Sequence, residues 1–400
     1  MNVVSATAVL PDQWILKKLK YVARMAAGDA ITSDEIREEG DYPVFGGNGL
    51  RGYTDRFNRE GDFVLIGRQG ALCGNINYAS GQFWASEHAI VADVQGNAEV
   101  HWLGELLTFM NLNQYSQSAA QPGIAVDVIS NLPIPVPPRS TQKAISRFLA
   151  AETSEIDGLI AAKQKLLDLM AEKRRAIVAE AVMRGLDPSA PLRPSGIDWL
   201  GVIPAHWEIE RSRWLFTERD QRSQTGEEEM LTVSHLTGVT PRSEKDVNMF
   251  EAESTAGYKL CFAGDLAINT LWAWMGAMGT ARVDGIVSPA YNVYTPGPRL
   301  LPDYVDALVR IPVFAQEVTR YSKGVWSSRL RLYPEGFFET WWPVPPLDEQ
   351  QQIIEHISTE TAKIDRLRTT TEDSIALLKE RRAALIAAAV TGQLEFPEAA

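Results

Sequence analysis

The chain has 400 residues, of which 45% are hydrophobic and 22% are charged, and its formal net charge is −12. This size and balance are typical of a soluble protein with more than one domain. They argue against a membrane protein, because no apolar run is long enough to cross a bilayer. The first residues also lack the basic start of a signal peptide, so we expect a cytoplasmic protein.

Residues 1–138 are predicted to form a first globular domain. Residues 46–56 are too rich in glycine for a strand interior, so we expect a loop whose backbone can approach a ligand closely. A predicted strand at residues 63–66 then runs into polar residues, and a second polar loop covers residues 113–123. Side chains of the kinds that read base edges or hold phosphates occur in these segments. The candidate DNA contacts are Asn48, Arg51, Tyr53, Arg56, Arg68, Gln69, His88, Gln114 and Gln117.

Residues 139–187 are predicted to form a long helix, because a pattern that begins at Pro135 is repeated 208 residues later from Pro343. No gap is needed to align the two copies, which indicates a tandem duplication. The second copy predicts a matching helix at residues 347–393, followed by a tail at residues 394–400. Ser140 and Asp348 are the expected N-caps, and Gly185 and Gly392 are the expected ends of helices of about 44 residues each.

Apolar residues recur in sevens along both helices, as they do where one helix packs on another. The residues expected to fill the intervening turns are Leu159, Leu167, Leu367 and Ile375. The central position of the repeat is polar in both copies, and in an antiparallel pair Lys163 and Thr371 would meet near the middle. Lys163 could equally extend outward into solvent. The predicted helix-pairing residues are Leu149, Ile156, Lys163, Met170, Ile177, Ile357, Ile364, Thr371, Leu378 and Leu385.

Residues 188–346 are predicted to form a second globular domain with the same plan and different loop chemistry. A predicted strand at residues 264–268 parallels the strand of the first domain, and a basic loop at residues 323–331 precedes the second helix. Any one of these loop residues could also be a solvated side chain, and Arg329 or Arg331 could pair with Glu335 or Glu339. The candidate DNA contacts are Asn269, Trp272, Trp274, Asn292, Lys323, Trp326, Ser327, Arg329 and Arg331.

Most tryptophans near the domain ends, such as Trp207, Trp214 and Trp342, are expected in the core. The two cysteines, Cys73 and Cys261, fall one per domain and are expected to be buried rather than paired or bound to metal. The sequence lacks a phosphate-binding loop, an amine-methylating motif, a nuclease carboxylate cluster and a zinc-binding His-Glu-x-x-His motif. We therefore expect no catalytic residues, no metal and no cofactor in this chain.

These motifs together resemble the specificity subunit of type I restriction-modification systems. The resemblance rests on Pro-Pro-Leu-Asp-Glu-Gln-Gln at residues 345–351, Lys-Ile-Asp-Arg-Leu at 363–367 and Ser-Gly-Ile-Asp-Trp-Leu-Gly at 195–201. Tyr-Pro-Val-Phe-Gly-Gly-Asn-Gly at 42–49 is similar to the openings of target-recognition domains in that family. The first helical copy departs from the sequence that is usual in that family, because it has Arg-Ser-Thr at 139–141 where the second copy has Leu-Asp-Glu.

The resemblance implies an α+β fold with two target-recognition domains, each followed by a long helix, the helices forming an antiparallel coiled coil with pseudo-two-fold symmetry. Each domain would read one half of an asymmetric, bipartite site in double-stranded DNA, and the helices would set the unread spacer. The implied partners are two methyltransferase subunits and restriction/translocase subunits, which would hold S-adenosylmethionine and ATP.

Two hypotheses of other classes remain open at this point. A structural scaffold would use the helices to assemble protein partners and the globular domains to bind peptides or sugars. A single-chain enzyme fused to recognition domains is disfavoured by the missing methylase and nuclease motifs.

Overall fold

The computed structural model describes residues 10–70, 72–96, 98–116, 122–244, 254–324 and 330–396. The chain divides into two compact units. Unit 1 comprises Met1–Gln164 and Glu372–Ala400, and unit 2 comprises Lys165–Thr371. Each long helix contributes one part to each unit. In the part of the chain that is described, no helix combines the length and the apolar character that crossing a membrane requires.

Unit 1 contains a four-stranded antiparallel sheet, in the order β2-β9-β6-β7, beside a smaller sheet in the order β4-β3-β8-β5. Its strands are β1 (Ile15–Lys18), β2 (Ala23–Ala27), β3 (Tyr42–Gly46), β4 (Gly49–Thr54), β5 (Arg59–Glu60), β6 (Phe63–Gly67), β7 (Ile76–Ala79), β8 (Gln82–Ala85), β9 (Ala89–Val94) and β10 (Pro133–Val136). Its helices are α1 (Val100–Phe109), α2 (Val126–Ser130) and the first part of α3 (Arg139–Arg184).

Unit 2 repeats this plan with a sheet in the order β14-β21-β18-β19 and three two-stranded pairs, β15-β16, β17-β20 and β13-β22. A short β11-β12 pair precedes them. Its strands are β11 (Leu192–Pro194), β12 (Val202–Pro204), β13 (Glu208–Arg211), β14 (Phe216–Glu218), β15 (Leu231–Ser234), β16 (Gly238–Pro241), β17 (Lys259–Cys261), β18 (Leu266–Asn269), β19 (Met278–Thr280), β20 (Gly285–Val287), β21 (Tyr291–Pro296) and β22 (Trp341–Val344). Its helices are α4 (Pro302–Val309), α5 (Pro312–Tyr321), α6 (Pro334–Phe337) and the first part of α7 (Leu347–Val390).

The strand that precedes each long helix is held in the same way in both units. In unit 1, β10 pairs antiparallel with β1, so that Ile15 lies opposite Val136. In unit 2, β22 pairs antiparallel with β13, so that Glu208 lies opposite Val344. The duplication predicted from the helices therefore extends into the globular domains, and the α+β fold class predicted from the sequence is confirmed.

A buried glutamine joins each long helix to its globular domain. The Gln350 side chain is fully buried. It accepts a hydrogen bond from the Leu301 backbone N–H at 2.9 Å and donates to the Arg299 and Pro345 carbonyls at 2.8 and 2.9 Å. Gln142, its counterpart in unit 1, accepts from the Glu99 N–H at 2.8 Å and donates to the Pro137 carbonyl at 2.9 Å. We call these two residues the glutamine clamps.

The two long helices pack antiparallel within each unit. In unit 1, Arg382 donates to both oxygens of Asp157, at 3.0 and 3.2 Å. In unit 2, the equivalent Arg174 lies 3.7 Å from Asp365. Arg174 is the counterpart of Arg382, and Asp365 is the counterpart of Asp157. Both ion pairs therefore join the same two positions of the duplicated sequence. The helical contacts of unit 1 are therefore repeated, with the helices exchanged, in unit 2.

None of the predicted helix-pairing residues is exposed in either helix. Four of them, Leu149, Ile156, Ile364 and Thr371, are buried, and the other six, Lys163, Met170, Ile177, Ile357, Leu378 and Leu385, are half-buried. The Thr371 hydroxyl donates to the Leu367 carbonyl at 2.8 Å. Of the residues expected to fill the intervening turns, Leu167 is half-buried and Ile375 is buried, whereas the expectation is wrong for Leu159 and Leu367, which are 46% and 57% exposed.

The helices begin at the predicted residues 139 and 347, and their glycine ends are confirmed, whereas the predicted N-caps are wrong by two residues. The first intrahelical hydrogen bonds run from Gln142 to the Pro138 carbonyl and from Gln350 to the Pro346 carbonyl. Pro138 and Pro346 are therefore the N-caps, and Ser140 and Asp348 lie inside the first turn. At the other ends, Gly185 and Gly392 have φ of 72° and 78°, in the left-handed region that favours glycine.

Both cysteines are buried and free, as predicted. Burial raises the pKa of the Cys261 thiol to about 12, and the nearby Asp265 carboxylate adds to this increase. This thiol is therefore protonated and unreactive at neutral pH.

Candidate nucleic-acid interface

In unit 1, three chain segments meet around an open depression of about 480 Å³. They are the β3–β4 turn, the segment that follows β6 and the turn that precedes β9. The residues that line the depression are Gly47, Asn48, Gly49, Leu50, Arg51, Gln69, Leu72 and His88. The predicted contacts Asn48, Arg51, Gln69 and His88 are thus brought together, although they are up to 40 positions apart in the sequence.

Glycines at positions 47 and 67 allow the backbones of these segments to touch. A Cβ atom on Gly67 would lie 2.3 Å from the Gly47 carbonyl oxygen and 2.7 Å from that of Leu72. A Cβ atom on Gly47 would lie 3.0 Å from the His88 carbonyl oxygen. That carbonyl also accepts a hydrogen bond from the Arg68 N–H at 2.9 Å. The β3–β4 turn therefore docks on the segment after β6 only because neither glycine has a side chain.

The polar side chains of the depression are held by their neighbours through one atom each. The Asn75 amide donates to Asn48 Oδ1 at 3.0 Å, and His88 Nδ1 lies 3.2 Å from Gln69 Oε1. The amide nitrogens of Asn48 and Gln69 have no hydrogen-bond partner within the described residues, so both remain available as donors. Positioned amide and guanidinium donors are the groups that read bases in the major groove.

The polar loop before the first helix packs against the same segment. The Gly70 N–H donates to the Pro122 carbonyl at 3.0 Å, and the Ile124 N–H donates to the Arg68 carbonyl at 2.9 Å. The predicted contact Gln114 lies at the start of this loop, where its amide donates to the Met110 carbonyl at 2.7 Å. Gln117 lies outside the described residues.

Three other predicted contacts of the first domain are engaged within the domain. Arg56 forms an ion pair with Glu35, and its guanidinium lies 4.5 Å above the Trp84 ring. Tyr53 exchanges backbone hydrogen bonds with Arg37, and Arg68 donates to the Glu87 carbonyl at 3.3 Å. Hydrogen bonds from Thr32 and the charge of Arg56 lower the pKa of Glu35, so that the Arg56 pair is present at neutral pH. Arg56 is therefore better explained as a structural residue than as a base reader.

In unit 2 the equivalent segments are the β15–β16 turn, residues 270–276 after β18, and the described ends of the basic loop, Lys323 and Arg331. Lys323 and Arg331 exchange two backbone hydrogen bonds of 2.9 Å. The next residue, Leu332, donates its N–H to the Thr270 carbonyl at 3.1 Å. The described end of the basic loop therefore lies beside the segment after β18, as the polar loop of unit 1 packs beside the segment after β6.

The surface of this second site is more apolar than that of the first. Trp272 is half exposed, and its ring lies nearly parallel to that of Trp274, with 6.4 Å between the centroids. Leu271 and Met275, on the same short turn, are also exposed. Where unit 1 presents Gln69, unit 2 presents tryptophan and aliphatic side chains. The two sites therefore offer different chemistry on the same scaffold.

Two predicted contacts of the second domain do not reach the surface. Asn269 and Asn292 are buried on the central strands β18 and β21. The Asn269 amide donates to the Tyr291 hydroxyl at 3.0 Å, and Asn292 Oδ1 lies 3.5 Å from the buried Lys259 ammonium group. Both predictions are corrected, because these amides satisfy other buried polar groups of the domain.

The alternative proposed for Arg331, an ion pair with Glu335 or Glu339, is not what the structure shows. Glu335 accepts a hydrogen bond from Lys323 at 3.0 Å. Glu339 forms ion pairs with Arg211 and Arg213. Arg331 is exposed and forms no ion pair within the described residues. Trp326, Ser327 and Arg329, the other predicted contacts of this loop, lie outside the described residues.

The sequence interpretation missed several exposed side chains. Trp214, expected in the core, is 72% exposed, whereas Trp207 and Trp342 are buried as expected. Leu236 and His235 are exposed on the β15–β16 turn, which corresponds to the β3–β4 turn of unit 1. The position of Trp214 could have been inferred from the repeat, because it matches Tyr21, which is 67% exposed.

Comparison with known proteins shows that part of this chain is similar to one family of proteins. Residues 11–167 match the family model described as the type I restriction modification DNA specificity domain. The chain is 44% identical over 137 residues to the type I restriction enzyme EcoprrI specificity subunit of Escherichia coli, covering 33% of this chain and 34% of that relative. It is 30% identical over 122 residues to a putative type I restriction enzyme specificity subunit of Haemophilus influenzae, covering 30% and 32%. The match thus spans about a third of the length of each relative.

The fold is similar to solved structures over nearly the whole chain. A structure described as the basis of complex assembly and conformational transition of the type I R-M system has a TM-score of 0.71 and 16% identity, covering 97% of this chain and all of that one. The HsdS subunit of Thermoanaerobacter tengcongensis has a TM-score of 0.54 and 16% identity, covering 97% and 99%. At 16% sequence identity, this similarity is evidence for the fold alone.

Proposed function

We propose that this chain, whose residues 11–167 match the family model of the type I restriction modification DNA specificity domain, is the non-catalytic, DNA-reading subunit of a type I restriction-modification complex. In this proposal each globular domain reads one half of a bipartite target in the major groove. The unread spacer between the halves is set by the long helices.

The observation that carries the proposal is the polar depression of unit 1 and its partial counterpart in unit 2. In unit 1 a hairpin turn, the segment after a central strand and the loop before a long helix come together, and in unit 2 the segment after β18 lies beside the end of the loop that precedes α7. Polar donors face the depression of unit 1, and Trp272 with Arg331 marks the site of unit 2. Since the two surfaces differ, we propose that the two half-sites differ and that the target is asymmetric.

The helices supply the spacing in this proposal. A helix of 46 residues, such as α3, is about 69 Å long at 1.5 Å per residue. Two recognition surfaces that read one face of a duplex are separated by about one helical turn, or about 34 Å. Helices of this length are sufficient to support two such surfaces. We further propose that their exposed faces dock two methyltransferase subunits.

Catalysis belongs to the partners in this proposal. The methyltransferase subunits would hold S-adenosylmethionine and the restriction/translocase subunits would hold ATP, in the cytoplasm where the DNA lies. The chain has a net charge of −12, so its DNA affinity in isolation would be low. More basic partner subunits would then complete the DNA-binding surface.

The proposal is tested by binding selection on randomised duplex DNA, with this chain co-purified with a methyltransferase subunit. We expect enrichment of two short, different sequences separated by a fixed unread spacer. Replacing residues 1–138 with the recognition domain of another family member should change one half and leave the other half and the spacer unchanged. Absence of any enriched sequence with every partner subunit would favour a protein scaffold instead.

Arg331 provides a test within the second site. Because Arg331 is exposed and unpaired within the described residues, Arg331→Ala should weaken binding without lowering thermal stability. A base-reading role predicts a loss of about 1–3 kcal/mol and relaxed preference at one position, whereas a phosphate contact predicts a uniform loss and a salt slope smaller by about one. Arg222→Ala, which removes an arginine that pairs with Asp220 and Gly257 in the same domain, is the control. Unchanged affinity, preference and salt slope in Arg331→Ala would remove this residue from the interface.

A further inference from the structure

The duplication allows each surface residue of unit 1 to be compared with its counterpart in unit 2. Strands β1 and β13 pair in the same register with the strands that lead into the long helices. A 3-10 turn follows each strand, at Leu19–Tyr21 and at Ser212–Trp214. Lys18 and Lys20 are therefore the counterparts of Arg211 and Arg213.

In unit 2 these two basic side chains share one carboxylate. Glu339 forms ion pairs with both Arg211 and Arg213. The Arg211 guanidinium also lies 4.7 Å above the Trp341 ring. Each arginine therefore has an acidic partner within the protein, and one of the two positive charges is compensated.

In unit 1 the corresponding carboxylate is missing. Asn131 precedes β10 by two residues, as Glu339 precedes β22, so Asn131 occupies the equivalent position. The Lys20 ammonium group donates to Asn131 Oδ1 at 3.0 Å, which reproduces the Arg213–Glu339 contact without the negative charge. Lys17 and Lys18 form no ion pair within the described residues. Lys17, moreover, stands where unit 2 has Glu210.

Lys18 and Lys20 lie on one side of the chain, as do their counterparts Arg211 and Arg213, whereas the side chain of Lys17, the neighbour of Lys18 in the strand, points to the opposite face. We call these exposed residues of β1 and the following turn the basic patch, defined as Lys17, Lys18 and Lys20 with the 67% exposed Tyr21. The fold does not require this charge, because unit 2 builds the same strand pair with Glu210 at the position of Lys17. No ion pair within the described residues compensates these three lysines, although the chain has a net charge of −12. The basic patch therefore has the charge that binding an anionic partner requires.

We propose that the basic patch binds the phosphate backbone of the DNA duplex that unit 1 reads, a proposal that rests on the DNA-reading function proposed above. Strand β9 begins directly after His88 of the candidate interface, and Asp93 of β9 lies opposite Arg24, close in sequence to the patch. Five residues of strand span about 17 Å. This distance corresponds to about five base pairs of duplex. A duplex read at His88 must therefore extend at least about five base pairs further to pass the basic patch, and lysine binds phosphate as a point charge without reading sequence.

The proposed role has a salt signature. Each phosphate that a cation neutralises contributes about 0.9 to the slope of log affinity against log salt concentration. Loss of two to three contacts therefore reduces the slope by about 2–3. The ratio of wild-type to variant affinity should then shrink by about 10- to 40-fold between 50 and 200 mM salt, with sequence preference unchanged.

The experiment measures DNA affinity against salt for the complex co-purified with methyltransferase subunits. Asn131→Glu installs the carboxylate that unit 2 has, and it should reduce the salt slope by about 1–2 while every lysine is retained. The triple variant Lys17→Gln, Lys18→Gln, Lys20→Gln should give the full reduction of about 2–3. Asn131→Gln retains a neutral acceptor for Lys20 and should match the wild type, and melting temperatures check that the variants fold.

The outcomes separate this proposal from the function on which it rests. If the wild-type complex selects its split target and the salt slopes of Asn131→Glu and the triple variant are unchanged, the basic patch does not bind DNA. If these variants instead lose the methyltransferase subunits during purification, the patch is a protein contact and the proposal is overturned. If the wild-type complex selects no sequence at all, it is the DNA-reading function that fails.

Discussion

Replacing Gln350 with leucine is expected to lower the free energy of unfolding of unit 2 by about 3–6 kcal/mol, the largest stability effect that we predict for one polar residue. The substitution leaves the Leu301 N–H and the Arg299 and Pro345 carbonyls without partners in a fully buried place. Each buried polar group that loses its partner costs about 1–3 kcal/mol. The measurement is the denaturant midpoint of unit 2, followed by tryptophan fluorescence.

The neighbouring glutamine supplies the control for this prediction. Gln351 is exposed and its amide bonds only to Glu355, so Gln351→Leu should change stability by less than about 0.5 kcal/mol. Gln142→Leu, in unit 1, removes partners from two backbone groups rather than three and should cost less than Gln350→Leu. Equal effects of Gln350→Leu and Gln351→Leu would show that the glutamine clamps do not hold the helices to the domains.

The largest functional effect is expected for Gly67→Ala. The added methyl group would lie 2.3 Å from the Gly47 carbonyl oxygen and 2.7 Å from the Leu72 carbonyl oxygen, and both obstacles are backbone atoms. The β3–β4 turn must therefore move away from the segment after β6, which separates Asn48 and Arg51 from Gln69 and His88. We expect preference for the first half-site to fall by at least about 100-fold, as loss of about 3 kcal/mol implies.

The measurement compares targets in which either half-site is scrambled. Gly67→Ala should make the first half-site irrelevant to binding and should retain the preference for the second. Gly158→Ala is the matched control, because no atom lies within 4 Å of the added methyl group on this helical glycine. This control should bind normally and gain up to about 1 kcal/mol of stability. Retained preference for the first half-site in a folded Gly67→Ala protein would contradict the assignment of the depression as the reading site.

The duplicated pattern was sufficient to predict the helices, because a heptad repeat and a terminal glycine are local features of the sequence. It also contained both glutamine clamps, at equivalent positions of the repeat. The N-caps were predicted two residues too late because Ser140 and Asp348 are good N-caps by residue type. The preceding prolines nevertheless accept the first helical hydrogen bonds through their carbonyls.

The candidate site was less predictable, because a loop residue's role depends on partners that are distant in the sequence. From the sequence alone, Arg56 is a reasonable DNA contact. The fold places Glu35 and Trp84 beside it, and its guanidinium contacts both. Asn269 also has the residue type of a DNA contact. In the fold, however, β18 pairs with β21, and the Asn269 amide donates a hydrogen bond to the Tyr291 hydroxyl. Asn48 and Gln69 were predicted as DNA contacts in two separate segments, and only the fold shows that Gly47 and Gly67 bring these segments together.

The discontinuity of unit 1 has a consequence for the time course of synthesis. The helical partner of Asp157 is Arg382, 225 residues later in the chain. At about 5–20 residues per second, the ribosome needs roughly 11–45 s to make the intervening segment. During that interval the apolar stripe around Leu149 and Ile156 has no α7 to pack against, whereas unit 2 lies in the segment then being made. The nascent chain is therefore expected to depend on a chaperone or an early-binding partner subunit for longer than its size alone would suggest.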